Sequence, residues 1–423
     1  MINVQYVRHL QIIPRSLVPA LQRALDVFSV VVVVGPRQVG KTTLVQAPEI
    51  GADRLYLTLD DLDLLSEARR HPDRLLGRAA RITLDEVQRA PEVLLAIKRH
   101  VDRERSPGQF IVTGSADVRA MKQVADHLPG RAVYLHLEPL SAAELRGEPE
   151  QVGLETLLAA ASAVEARDAL TPRGRRRSDV VDLMIRGGLP EPALLRDDDA
   201  RVLWFAAYVR SWLDRGVGEL SAISELADLK RLMTALAART GGLLNQAAAG
   251  AEIGLPRTTA YRYTSVLSLG LLLDLLPAWS RSLRVRTVKT PKLYWRDVGL
   301  AAHLLGIRSR KALREHHGFG VLVENLILAN LRAWASARRH TPELFFWRTA
   351  GGREVDFVVE VDGRFIPVEV KLARRPRAED LRHLVAFLEE HQRIAPYGVL
   401  LHGGTTVETP APNVVAVPLA AVL

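Results

Sequence analysis

Residues 35–42 read Gly-Pro-Arg-Gln-Val-Gly-Lys-Thr, between the apolar run Val30–Val34 and a helix-compatible stretch from Thr43. This G-x-x-x-x-G-K-[ST] spacing constrains the fold because it works only where a buried strand gives way to a helix. Backbone amides then converge on a phosphate, and the helix N-terminus adds positive potential. The context predicts an ATP site lined by Gly35, Pro36, Arg37, Gln38, Val39, Gly40, Lys41, Thr42 and Thr43. Lys41 is expected on the β- and γ-phosphates and Thr42 on Mg²⁺.

Helical spacing over 16–28 leads into that strand, and further strands are expected at Leu55–Leu59, Ile82–Leu84 and Phe110–Val112 with helical segments between them. The alternation predicts an α/β domain built on a parallel sheet. Asp85 and Glu86 end the third strand. In a hydrolytic site the Asp holds Mg²⁺ through water and the Glu orients the attacking water; a solvated strand-end pair is the plainer alternative. Thr113 and Ser115 follow the next strand and could face the γ-phosphate, or serve turn chemistry around Gly114. Arg131 is a candidate arginine finger across a subunit boundary, against a surface salt bridge.

The chain has 423 residues, too many for one ordinary core, so two or three domains are expected. Its net charge of +9 favours polyanion partners, as would any solvated basic surface. The absence of cysteine excludes disulfides, thiolate zinc sites and a cysteine nucleophile. No secretory signal is apparent in Met1–Ser16, and neither Phe28–Val34 nor Leu267–Leu276 suits a membrane span, so a cytoplasmic location without membrane contact is expected. Trp204, Tyr208 and Trp212 recur at helical spacing and read as core packing. The Arg173–Arg177 cluster reads as an exposed loop, with nucleic-acid contact as the sharper alternative.

Gln246–Glu252, a Gly254-Leu255 turn and Pro256–Leu269 have the layout of a helix-turn-helix. Arg257, Thr258, Thr259, Tyr261 and Arg262 fall early in the second helix, where groove-reading side chains sit. Arg281, Arg284, Arg286, Lys289 and Lys292 supply a basic wing. DNA contact through Arg257, Arg262, Arg284 and Arg286 is one reading, and a packing or oligomerisation module is the other.

Near the C-terminus, Glu354–Val361 alternates polar with apolar over most of its length, and Asp362-Gly363 is a hairpin turn. Pairing Val361 with Arg364 puts Asp356 opposite Glu369 and Glu354 opposite Lys371. Val355, Phe357 and Val359 then share an apolar face with Val370, Val368 and Ile366. The other face brings two carboxylates together, unfavourable without a cation or proton between them.

Asp356 with Glu369-Val370-Lys371 is similar to the D…E-x-K core of restriction-endonuclease-like nucleases. The resemblance implies metal-holding Asp356 and Glu369, a charge-stabilising Lys371, and Glu324 as the helical acid, with Arg348 and Arg353 available to phosphate. A solvent-facing hairpin relieved by Lys371 and Arg353, or a relic fold without catalysis, is the alternative.

Gly35–Thr42, Asp85-Glu86, Thr113-Gly114-Ser115, Leu128–Arg131, Glu138–Ser141, Gly187–Glu191 and Glu354–Lys371 together resemble a prokaryotic AAA-type ATPase family with a nuclease-like C-terminal domain of unknown function. The resemblance implies ATP hydrolysis and a homo-oligomer. The expected division is an ATPase domain over 1–145, a helical lid or linker over 146–240, a winged-helix-like unit over 241–310 and a restriction-endonuclease-like α/β domain over 311–423. A non-catalytic ATP switch and a regulatory or defence module binding a protein partner remain alternative functions. Polar Arg81 and Thr83 depart from the usual apolar strand before the Asp-Glu pair.

Overall fold

The computed structural model describes residues 12–115, 128, 130–170, 179–219, 226–282, 286 and 289–423. The Arg173–Arg177 cluster, Arg284 and the side chain of Ser115 lie outside them.

Five strands, β1 (Val30–Gly35), β2 (Leu55–Thr58), β3 (Ile82–Asp85), β4 (Phe110–Ser115) and β5 (Ala132–His136), form a parallel sheet in the order β2-β3-β4-β1-β5. The all-apolar β1 is buried throughout, as a central strand covered on both faces must be. Val30, Val32 and Val34 pack with Leu65, Val93 and Ile97; Val31 and Val33 pack with Leu17, Leu21 and Leu44. Polar Thr83 is buried in β3 all the same, because its hydroxyl accepts a hydrogen bond from Arg54 Nε at 3.1 Å. The segments after β1, β3 and β4 therefore leave one carboxyl edge, where ligands of open α/β sheets bind.

Further along, the helices Gln246–Glu252 and Arg257–Leu269 flank a turn in which Gly254 takes φ 75°. They cross at Gly250, where a Cβ would lie 2.6 Å from that of Ala260. An antiparallel pair follows, β6 (Leu273–Leu276) with β7 (Lys292–Trp295).

The last sheet contains β8 (Glu343–Arg348), β9 (Glu354–Val361), β10 (Arg364–Lys371), β11 (Gly398–His402), β12 (Glu408–Ala411) and β13 (Val414–Pro418), in the order β12-β13-β11-β10-β9-β8. Asp362 and Gly363 both take positive φ, 49° and 78°, as a two-residue hairpin turn requires. The expected register holds from Val361–Arg364 to Phe357–Val368. The β9–β10 ladder ends there, just before Glu369, so the expected pairs Asp356–Glu369 and Glu354–Lys371 are not partners in it; on its other edge β10 pairs with β11 from Val368.

One expectation is overturned here. Phe345 faces Val358 but Trp347 faces Val355, so β9 carries an extra residue at Asp356–Phe357. This bulge turns Val355 away from Phe357 and Val359. Val355 and Val358 pack with Trp347, Leu384 and Phe387, whereas Phe357, Val359, Ile366 and Val368 join the larger core with Leu322 and Leu326. The hairpin thus has no solvent face: the helices Ala378–Glu390 and Phe319–Ser336 supply the two covering layers.

The Phe319–Ser336 helix is fastened to β6 by Arg332, whose Nε and Nη2 both reach buried Asp274 at 2.8 Å. Arg332→Met leaves that carboxylate buried without its partner. Denaturant unfolding is expected to show a loss of about 3–5 kcal/mol, against little change for a surface control such as Arg210→Met.

Candidate nucleotide site and C-terminal carboxylate cluster

The 35–42 loop joins β1 to the helix Lys41–Gln46. Its glycines are sterically required. A Cβ on Gly35 would lie 2.4 Å from the Leu137 carbonyl oxygen, and Gly40 takes φ 95°. Gln38, Thr42 and Thr43 are exposed along the loop's open side. Lys41 is buried and donates from Nζ to the Gly35 and Pro36 carbonyls at 3.0 and 2.9 Å. Burial lowers its ammonium to about 8. Its hydrogen-bond partners are neutral, so its charge is left for an anion.

Asp85 is the hub of the site. Thr42 Oγ1 and Tyr56 OH each donate to its Oδ2 at 2.7 Å. Thr113 Oγ1 and the Glu86 amide donate to Oδ1, the latter at 3.1 Å. The carboxylate is 2% exposed and is thereby fixed beside Thr42. Glu86 takes φ 58°, which redirects the chain as it leaves β3. Its carboxylate accepts from Gln88 Nε2, and burial raises its affinity for a proton. Gly114 makes room for Gln88, whose Oε1 would lie 2.9 Å from a Cβ there.

Four contacts, made by three residues, were not foreseen from sequence. Arg15 Nη1 donates to the Val39 carbonyl at 3.0 Å and its Nε to Glu144 at 3.2 Å. Tyr208 packs in the core beneath Trp204 as expected, yet its hydroxyl also donates to the Arg37 carbonyl at 3.4 Å. Tyr56, read only as a strand residue, is bonded to Asp85. Arg131, by contrast, precedes β5 at the amino edge of the sheet, roughly 17 Å of strand from the loop. Asp102 holds it through Nε at 2.5 Å and Nη2 at 3.0 Å. It takes no part in the nucleotide site of its own chain.

The C-terminal cluster gathers at the fork where β10 leaves β9. Asp356 Oδ2 accepts the Val370 amide at 2.9 Å, and Lys371 Nζ donates to Glu369 Oε1 at 2.7 Å. Glu324 accepts from Tyr294 OH at 3.1 Å. Burial, and then the neighbouring Asp356, push Glu324 up to about 7 and Glu369 up to about 8. The expected metal seat is not formed as the side chains stand. Among the described residues no three His, Asp or Glu side chains converge to hold a metal ion. The cation present is Lys292 Nζ, 2.5 Å from Glu354 Oε1 and 3.9 Å from Asp356 Oδ1.

Lys292 therefore belongs to buried β7 and not to an exposed wing. Arg286 is likewise turned inward, its guanidinium 4.8 Å from the Phe345 ring centroid and 5.7 Å from that of Phe365, with Nε donating to the Ser280 carbonyl. Stacking on aromatic faces satisfies it better than water would. Arg257 and Arg262 are exposed on the second helix, Arg257 resting over the Tyr261 ring.

A parallel sheet with this loop, and an Asp-Glu pair at the next-but-one strand end, define an α/β P-loop ATPase domain of AAA type. The AAA domain family matches residues 27–146. Two families described as domains of unknown function, DUF8612 and DUF4143, match 177–311 and 319–422. Uncharacterized protein Rv2008c of Mycobacterium tuberculosis and Uncharacterized protein Mb2031c of Mycobacterium bovis are each 30% identical over 365 residues, spanning 86% of this chain and 74% of the relative. The chain belongs to the family of these mycobacterial proteins. Among solved structures, the Walker-type ATPase PABY2304 of Pyrococcus abyssi is 13% identical, with 69% of this chain and 96% of that chain covered at a TM-score of 0.45. The RuvB Holliday junction branch migration motor of Thermotoga maritima is 18% identical, with 62% and 86% covered at 0.26. No described helix is long and apolar enough to cross a membrane.

The raised carboxyls carry a pH signature. Native Glu369 keeps its proton up to about 8, against an ordinary 4.5, so the folded state binds more protons than the unfolded chain between those values. Stability is full below the ordinary carboxylate range and falls as pH rises through it toward 8. Thermal unfolding followed from about pH 5 to about pH 9 is expected to show this decline, and Glu369→Gln to flatten it.

Proposed function

We propose that the protein is a Mg²⁺-dependent ATPase that couples nucleotide state to a DNA-associated C-terminal half. The observation that carries the reading is the fourfold-bonded Asp85 carboxylate locked against Thr42, with Glu86 directly beyond it. The donor set suits Mg²⁺-ATP: an exposed threonine hydroxyl backed by an immobile carboxylate, loop amides, and a buried ammonium bonded only to carbonyls. Thr42 and Asp85 are the residues that would hold Mg²⁺, which supplies neutralisation of phosphate charge. Lys41 and the loop amides bind the phosphates, and Thr113 keeps Asp85 aligned. Glu86, with its raised proton affinity, orients the attacking water and accepts its proton.

DNA association is supported by the exposed Arg257, Tyr261 and Arg262 on the second of the two crossing helices. Cleavage is not part of this reading, because the carboxylate cluster forms no metal seat as it stands.

Lys41→Ala is expected to abolish nucleotide binding. Glu86→Gln should bind a fluorescent ATP analogue as wild type does while turnover falls about a hundredfold or more. Full turnover by Glu86→Gln would refute the hydrolytic role. For DNA, Arg257→Ala with Arg262→Ala should weaken duplex binding and reduce the slope of log affinity against log salt by about 2; an unchanged slope removes this helix from the interface.

A further inference from the structure

The C-terminal cluster draws one of its cations from outside its own domain. Glu324, Glu354, Asp356 and Glu369 come from one helix and two strands of the 319–422 segment; within that segment Lys371 pairs with Glu369 and Arg348 with Glu354 at 3.4 Å, which leaves Asp356 without an ion pair to it among the described residues. Glu369 is 3% exposed, and its Oε2 is buried with no hydrogen-bond partner among the described residues. The compensating charge arrives from elsewhere. Lys292, 2% exposed, extends from β7 to Glu354 and Asp356, with its ammonium 5.5 Å from the Phe346 ring centroid.

The strand that carries it is held along its length. The isolated bridge Leu243–Lys292 and the β6 ladder fix one end. At the other, the Trp295 amide donates to Asn325 Oδ1 at 2.9 Å and Asn325 Nδ2 donates to the Trp295 carbonyl at 2.7 Å. Lys292 is therefore delivered to the fork by backbone geometry, not by a free side chain that drifted there. An ammonium and a divalent cation cannot occupy the same few ångströms between carboxylates, since each repels the other where water is scarce.

We propose that Lys292 is a tethered cation that takes the place of a divalent metal beside Glu354 and Asp356, so that this conformation excludes metal from the nuclease-like fork. The carboxylates do not converge on a metal as they stand, and the cation they meet is internal. Metal enters only if β7 withdraws its lysine. The proposal does not depend on ATP turnover by the distant loop.

The test is Mn²⁺ binding to the full-length protein, read by calorimetry and by the Mn²⁺-induced shift in unfolding temperature. Wild type and Lys292→Arg are expected to show no Asp356-dependent Mn²⁺ site. Lys292→Met should gain one, with affinity at least about tenfold above wild type, and Mn²⁺ should raise its unfolding temperature. Adding Asp356→Asn to Lys292→Met should abolish both effects. Should the single variant fail to fold, Lys292→Gln, which removes the charge, keeps a polar side chain at the fork and leaves every carboxylate in place, is titrated instead. A folded variant without the ammonium that binds Mn²⁺ no better than wild type overturns the proposal, as does Asp356-dependent Mn²⁺ binding by wild type. ATP turnover measured on the same samples reports on the nucleotide reading separately.

Discussion

The arrangement of the domains rests on one buried polar junction centred on Asp297. Its Oδ2 accepts the Gly188 and Leu189 amides at 2.7 and 2.9 Å, and its Oδ1 accepts the Leu300 amide at 2.7 Å. A buried carboxylate is tolerable only when its lone pairs are filled, so the Gly188–Leu189 segment cannot separate from the helix that Asp297 caps without exposing it. Gly187 is forced by the same contact: it takes φ 68°, and a Cβ there would lie 2.4 Å from Asp297 Oδ1. Beside it Arg296 reaches Glu138 at 2.5 Å, Leu140 donates to the Gly188 carbonyl at 2.7 Å, and Ala142 donates to Asn330 at 2.8 Å. Segments from the AAA domain, from the middle of the chain and from the Phe319–Ser336 helix therefore meet in one buried polar network.

That junction places the nucleotide loop and the C-terminal fork on a common support. Leu137, whose carbonyl crowds Gly35, directly precedes Glu138, the partner of Arg296. Four residues before Arg296 in the chain is Lys292, inside the carboxylate cluster. The segment after β5 is thus joined to the strand that holds Lys292 through the Arg296–Glu138 ion pair and the backbone beyond Arg296. Tyr208 and Arg15 tie the loop carbonyls Arg37 and Val39 to the same body of structure.

What could be read from sequence was what local chemistry decides. The phosphate loop, the pairing of the two helices and the Asp362-Gly363 hairpin register as far as Phe357–Val368 depend on residues close in the chain, and each appears as expected. The misplaced features depend on distant partners. The bulge at Asp356–Phe357 arises from how β9 meets β8, and no pattern within β9 marks it, since shifting one residue changes only which core receives Val355. Lys292 and Arg286 lie in a run of basic residues that reads as a solvated wing. Only the fold shows that carboxylates and aromatic rings are waiting for them. Asp85-Glu86 was legible as a pair, but the roles of Tyr56 and Tyr208 were not. A tyrosine in a strand or a helical stripe carries the same sequence signal whether or not its hydroxyl has a task.

The two buried lysines show why one site invites an anion and the other does not. Lys41 is surrounded by backbone carbonyls, whose dipoles stabilise the ammonium without cancelling its charge, and its lowered proton affinity reports incomplete compensation. Lys292 faces Glu354 and Asp356, with Glu324 nearby, and its proton affinity is raised despite burial. A phosphate approaching Lys41 completes an unfinished electrostatic arrangement. One approaching Lys292 meets an excess of carboxylate, so any nucleic-acid backbone at that fork must be met first by the more exposed Lys371, Arg348 and Arg353 at its rim. The same residue type at two depths of one protein therefore serves opposite ends, and the difference lies in whether its partners carry charge.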